Sequence, residues 1–160
     1  MFPRRPIERA RGGAIRRRLP APERDLLRTL RAELEVLLEG DRDDPDLRRL
    51  FPPAHEDREQ DAEYREQVGD QLLAGRARAL ATLEQTIDSQ TLTAEQADAW
   101  LRALNDVRLV LGTRLDVRED IDYSALDPHD PDTRELGVYA YLSWLQEQLV
   151  EALSSGLDPA

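Results

Sequence analysis

The stretch Thr93-Ala94-Glu95-Gln96-Ala97-Asp98-Ala99-Trp100-Leu101-Arg102-Ala103-Leu104-Asn105-Asp106-Val107-Arg108-Leu109-Val110-Leu111-Gly112-Thr113-Arg114-Leu115 decides the fold. Its first four residues form a capping box, in which the Thr93 hydroxyl and the Gln96 side chain serve each other's backbone donors. Ala97, Trp100, Leu101, Leu104, Val107, Leu111 and Leu115 then recur at intervals of three and four, the period of one helix face. The spacing predicts an amphipathic helix from Thr93 to about Leu115.

The segments on either side share that period. Upstream, Tyr64, Val68, Leu72, Leu73, Leu80, Leu83 and Ile87 predict a long helix from about Arg58 to Ile87, with Gly69 and Gly75 as weak points. Leu26, Leu27, Leu30, Leu34, Leu37 and Leu38 predict a helix from Pro22 to Glu39, stopped by Gly40. Between these two, Asp44 to Phe51 reads as a short capped helix that plugs Leu47, Leu50 and Phe51 onto the core. Downstream, a last helix is expected from about Asp130-Pro131 to just before Gly156. It is apolar over more than one stripe, as in a central helix or one in an interface. A central position is preferred. The interface reading makes a homodimer the second expectation, with Tyr139, Tyr141 and Trp144 as contact residues.

At the other end, Gly12-Gly13 separates Pro6–Ala10 from Ala14–Leu19 and supplies the turn of a tight hairpin. The expected fold is mainly α: a bundle of four principal helices plus a short helix, with a short N-terminal β-hairpin. It is read as a single domain over residues 1–160, with a basic hairpin arm at 1–19 and a helical bundle at 22–155.

Composition bounds the function. The chain has 160 residues, 22 cations that are all Arg, 33 acids, a formal net charge of −11, and no Cys. Disulfides and Cys-based zinc sites are excluded. No run of about 18 apolar residues exists, and the basic N-terminus lacks an apolar h-region, so neither a transmembrane helix nor a secretory signal is expected. The charge is unevenly spread: residues 1–18 carry +6 and the remainder −17. Arg4, Arg5, Arg16, Arg17 and Arg18 are therefore candidates for a nucleic-acid arm. Phe2 is the segment's sole aromatic, so base stacking is poorly provided for. A basic edge that is simply solvated, or docked on its own acidic body, is the preferred reading.

Two charges fall where a bundle should be apolar. Arg108 lies four residues after Leu104 and three before Leu111, with Asn105 and Gly112 flanking the same line. Arg76 sits between Leu72, Leu73 and Leu80. A buried guanidinium without a partner is very costly. Three arrangements satisfy the pattern: stems that pack while the heads reach water, internal ion pairs, or an anion site built on Arg76, Asn105 and Arg108. Candidate acids are Glu66, Asp70, Asp106 and those of the 116–130 loop.

Other chemistry is poorly supported. The acidic loops at 41–44 and 116–130 lack the EF-hand pattern, His55 and His129 are isolated, and no nucleophile–base arrangement or phosphate-binding glycine loop is present. No catalytic residue, metal or cofactor is assigned, and an enzyme is not expected.

The run from Trp100 to Leu115, together with Leu50-Phe51-Pro52-Pro53-Ala54, Leu72-Leu73-Ala74-Gly75-Arg76, Tyr141-Leu142-Ser143-Trp144-Leu145-Gln146-Glu147 and the Gly-Gly hairpin, resembles an actinobacterial domain-of-unknown-function family, the one numbered two thousand and seventeen. The resemblance covers nearly the whole chain. It implies a cytoplasmic protein often encoded beside the ClpS adaptor of the Clp protease, with some relatives labelled transcriptional or aerial-mycelium-formation proteins. It implies no catalytic residue. The leading expectation is a non-enzymatic interaction or regulatory protein with a protein partner, connected by that association to Clp-type proteolysis. The alternatives are a DNA-binding regulator using the basic arm, and a small-anion sensor or enzyme around Arg76 and Arg108.

Overall fold

The computed structural model describes residues 5–41, 43–51, 58–115, 127 and 129–155, with the backbone alone at 58–66 and 132. Arg4, His55, the Glu66 and Tyr64 side chains and nearly all of the acidic 116–130 loop lie outside the described residues.

The chain begins with strands β1 (Ile7–Arg9) and β2 (Ile15–Arg17), joined by a turn in which Gly12 and Gly13 have φ of 89° and 90°. Those angles are strained for any residue with a Cβ, which is why the turn uses glycines. Ile7 faces Arg17 and Arg9 faces Ile15 across the antiparallel pair. A third strand, β3 (Thr91–Leu92), adds to the other side of β2 with Ile15 opposite Leu92. The expected hairpin is thus two strands of a three-stranded sheet in the order β1-β2-β3.

Four helices follow among the described residues: α1 (Ala21–Glu39), α2 (Arg58–Thr86), α3 (Ala94–Arg114) and α4 (Pro131–Ser154). α1 begins one residue before the expected start, with Pro20 as its N-cap. It ends at Gly40, whose φ of −88° is one that any residue adopts, so the stop does not depend on left-handed geometry. α2 is continuous through Gly69 and Gly75. Between α1 and α2, the expected short helix is a single 3-10 turn at Pro45–Leu47, capped by Asp44 accepting from the Asp46 amide at 2.9 Å. Two prolines beyond Phe51 and the shortness of the run favour the tighter turn. No helix of the described residues is long and apolar enough to cross a membrane.

The capping box of α3 is complete. Gln96 N–H donates to Thr93 Oγ1 at 3.1 Å, and Thr93 N–H donates to Gln96 Oε1 at 2.9 Å. α3 is the central element: beyond its expected stripe it also buries Ala103, Asp106, Val110, Gly112 and Thr113. It packs against α1, α2, α4, β3 and the 3-10 turn. At Gly112 the approach is close, since a Cβ there would meet Tyr139 Cε2 at 3.1 Å and Arg49 Nη1 at 3.0 Å. The core around α3 holds Ile15, Leu27, Leu47, Leu50, Leu80, Leu83, Trp100, Leu142, Leu145 and Leu149, while Leu72 stays exposed at the rim.

The sheet is fastened to the bundle by its arginines. Arg9 donates through Nε to Ala152 O at 3.1 Å and through Nη2 to Leu153 O at 3.2 Å. Those carbonyls belong to the last turn of α4, where no intrahelical donor remains and no basic residue of its own helps. Replacing Arg9 by Met is expected to cost about 2 kcal/mol, the scale of a charge-assisted pair of hydrogen bonds. Urea unfolding measures the loss, and amide exchange in the last turn of α4 should accelerate with it.

Candidate functional site

The two inward arginines picked out by periodicity sit on α2 and α3, and each meets protein partners. Arg76 Nη1 donates to Asp106 Oδ1 across the α2–α3 interface, and Nη2 donates to Leu50 O at 3.1 Å. Its guanidinium lies 5.6 Å from the centre of the Phe51 ring. One side chain therefore joins α2, α3 and the segment after the 3-10 turn. Arg114 holds the 3-10 turn itself, with Nε donating to Asp46 Oδ2 at 2.7 Å.

Asp106 is the buried member of the pair, its side chain 4% exposed against 22% for Arg76. Burial pushes its carboxyl above the usual carboxylate range, and the charge and hydrogen bond of Arg76 pull it part of the way back. Of the candidate acids among the described residues, Asp106 is the one that Arg76 meets. Asp70, another candidate, is exposed on α2.

Arg108 takes a different surrounding. Its Nη2 donates to Asn105 Oδ1 at 3.2 Å, an oxygen that also accepts from Gln146 Nε2 at 3.2 Å. Its Nη1 donates to Tyr139 Oη at 3.2 Å, and its guanidinium stands 5.6 Å from the Tyr139 ring centre. Arg108, Asn105, Tyr139 and Gln146 thus bind α3 to α4 through a polar seam. The structure brings Asn105 and Arg108 together but puts Arg76 in a separate pair on the α2 side. Beside the seam opens a shallow groove of about 420 Å³ that Arg108, Gln146 and Val150 help to line.

The other sequence candidates divide by exposure. Tyr141 is buried in the chain's own core, with its ring centroid 5.9 Å from that of Trp144; Tyr139 and Trp144 are half-buried. In the basic segment, Arg5, Arg16 and Arg18 face outward, and Arg18 lies 3.6 Å from Glu8. Arg17 turns inward, where it is 5% exposed and donates to Ser89 O at 2.7 Å.

A buried arginine on α1 has no counterpart among the expected site residues. Arg31 donates to Glu35 Oε2 at 2.7 Å and lies 3.5 Å from Glu84 on α2. It stands in a groove of about 240 Å³ between α1 and α2. Leu38, Leu73, Ala77, Leu80 and Ala81 contribute the apolar walls, and Glu35, Glu39 and Glu84 the charged ones. Its position one residue after Leu30 reads as a flank of the apolar stripe, so periodicity alone does not single it out. Among the described residues no group of three or more His, Asp or Glu is placed to hold a metal ion.

Fold and site together define a helical bundle with a small sheet, pinned internally by arginines and carrying grooves lined by side chains of neighbouring elements. A family model described as a domain of unknown function, DUF2017, matches residues 4–153, and the chain belongs to that family. No curated protein and no solved structure matches the chain.

Proposed function

We propose that this chain is a non-enzymatic, cytoplasmic interaction protein that acts by docking a protein partner. The observation carrying the reading is the acid-flanked apolar groove between α1 and α2. Three glutamates and one arginine leave the lining negative, on a body that is itself strongly acidic. A groove of this size accepts one or two apolar side chains, and its charge favours a partner segment that is basic. The fitting occupant is a positively charged segment presenting a bulky aliphatic or aromatic residue. The family resemblance makes a Clp-system component the first partner to try, with a regulatory role following from that contact.

Substituting Ala81→Arg fills the groove and reverses its charge from a half-buried helix position. Titration calorimetry with purified Clp adaptor, and with Arg-rich peptides bearing a single Leu or Phe, is expected to show binding that this variant weakens at least tenfold. Equal affinity of Ala81→Arg and the parent for a partner that does bind would remove the groove from the proposal. Absence of binding to either kind of probe counts against the docking role.

A further inference from the structure

The sheet end of the molecule carries a second groove, of about 490 Å³, lined by Arg16, Arg17, Arg18, Leu19, Arg24, Gln90 and Thr91. Its composition is the reverse of the α1–α2 groove: four arginines contribute to one concavity on an otherwise acidic protein. The carboxylates in reach are few. Glu8 stands 3.6 Å from Arg18, and Asp88 stands 3.2 Å from Arg24 while also taking Arg28, which Asp25 shares. Among the described residues, these carboxylates pair with Arg18, Arg24 and Arg28, and no ion pair is seen at Arg16 or Arg17.

Arg17 is the group least compensated. It is nearly fully buried, yet its side chain donates only to neutral carbonyls among the described residues, Ser89 O at 2.7 Å and Leu19 O at 3.4 Å. Burial, and then the positive charges of Arg24 and Arg28, hold its pKa below the usual arginine value, with Asp88 opposing them. A fixed guanidinium that already bears its desolvation cost gains from a nearby anion more than a hydrated one does. The two carbonyls also lock its orientation, so little side-chain entropy remains to be lost on binding.

We propose that the groove formed by Arg16, Arg17, Arg18, Arg24, Gln90 and Thr91 binds a terminal phosphoryl group. Guanidinium forks match the paired oxygens of phosphate, and a phosphomonoester carries close to two negative charges at neutral pH, which suits a site with positive charge in excess. The Gln90 amide and Thr91 hydroxyl add neutral donors at the same wall. The groove is local and the rest of the body repels polyanions, so a compact phosphate fits better than a long duplex. The same phosphoryl chemistry is offered by a free nucleotide and by a phosphorylated peptide.

The test uses the full chain, with sodium pyrophosphate as the probe and chloride replaced at constant ionic strength. Pyrophosphate should raise the melting temperature saturably, as a ligand of the folded state does. Arg16→Glu lies at an exposed position but faces Glu8 across the β1–β2 pair, so a modest fall in melting temperature without ligand is expected. The response to pyrophosphate is therefore read against the variant's own unliganded value. The substitution should weaken the apparent affinity at least tenfold. Ala81→Arg, in the other groove, should leave the response intact. Adding ADP or a phosphoserine peptide separates the sources, the tighter of the two naming the physiological form. A melting response no different from chloride, or one that Arg16→Glu leaves unchanged, overturns the proposal. So does binding of duplex DNA with steep salt dependence and no saturable pyrophosphate response, which would assign the basic face to nucleic acid.

Discussion

Replacing Arg76 by Leu is expected to destabilise the protein by about 3–5 kcal/mol at neutral pH, the scale for stranding one member of a buried ion pair. Asp106 is the reason. It is 3% exposed, and among the described residues its hydrogen-bonding side-chain partner is Arg76. Removing the guanidinium leaves a carboxylate on the central helix with nothing to replace water. The substitution also frees Leu50 O and uncovers the Phe51 ring, so the segment after the 3-10 turn should loosen with it.

The pH dependence gives that prediction its direction. In the folded parent the Asp106 carboxyl is pushed up by burial and only partly pulled down by Arg76. A raised pKa means that the folded state holds the proton more tightly than the unfolded chain. Asp106 therefore favours folding most at low pH, and its contribution declines as pH rises through the folded-state value. Without Arg76 the rise is larger, so the deficit of Arg76→Leu should shrink steadily as pH falls from 7 toward 4. Asp106→Asn keeps an acceptor for the Arg76 head, which still reaches solvent, and should cost roughly 1 kcal/mol. The double variant Arg76→Leu/Asp106→Asn should recover much of the single variant's loss. Urea unfolding of the four proteins across that pH range checks all three statements. A pH-independent deficit for Arg76→Leu would mean that the lost packing against Phe51, rather than the stranded charge, dominates.

The fold was legible where a local pattern carries it. Thr93 and Gln96 announce the start of α3 because both hydrogen bonds of the box lie within four residues. Gly12-Gly13 announces the hairpin because both residues need positive φ. β3 left no such mark: Thr91–Leu92 is two residues long and exists only because β2 lies beside it. The site was legible in part for the same reason. Periodicity placed Arg76 and Arg108 inward, and Asp106 was among the acids named for them. Spacing within one helix cannot rank acids on another, so the α2–α3 pairing had to come from the packing. Arg9 and Arg17 belong to a segment that read as a basic edge, either solvated or docked on the chain's own body; the groups they meet are main-chain carbonyls, which no side-chain pattern records.

Truncating Trp100 to Ala is expected to cost about 3–5 kcal/mol, the range for removing a large aromatic from a filled core. At this chain length that corresponds to a fall in melting temperature on the order of 10 °C. Trp100 is fully buried on α3, and its indole Nε1 donates to Thr86 Oγ1 at 2.7 Å in the last turn of α2. Thr86 in turn donates to Thr82 O at 2.6 Å, so the hydroxyl is aimed and has a lone pair free for the indole. This polar link inside an apolar core separates volume from hydrogen bonding. Thr86→Val keeps the shape but strands the indole N–H, which should cost about 1–3 kcal/mol. Trp100→Phe removes the donor along with part of the ring. Once that donor is gone, Thr86→Val should cost little further, so the two losses fall short of additive by about 1 kcal/mol or more. A Trp144→Phe background leaves Trp100 as the one fluorophore of its kind, and denaturant unfolding followed by its emission measures the single variants at position 86 directly. Full additivity in the cycle, scored by circular dichroism, would show that the link contributes nothing beyond the packing of the ring.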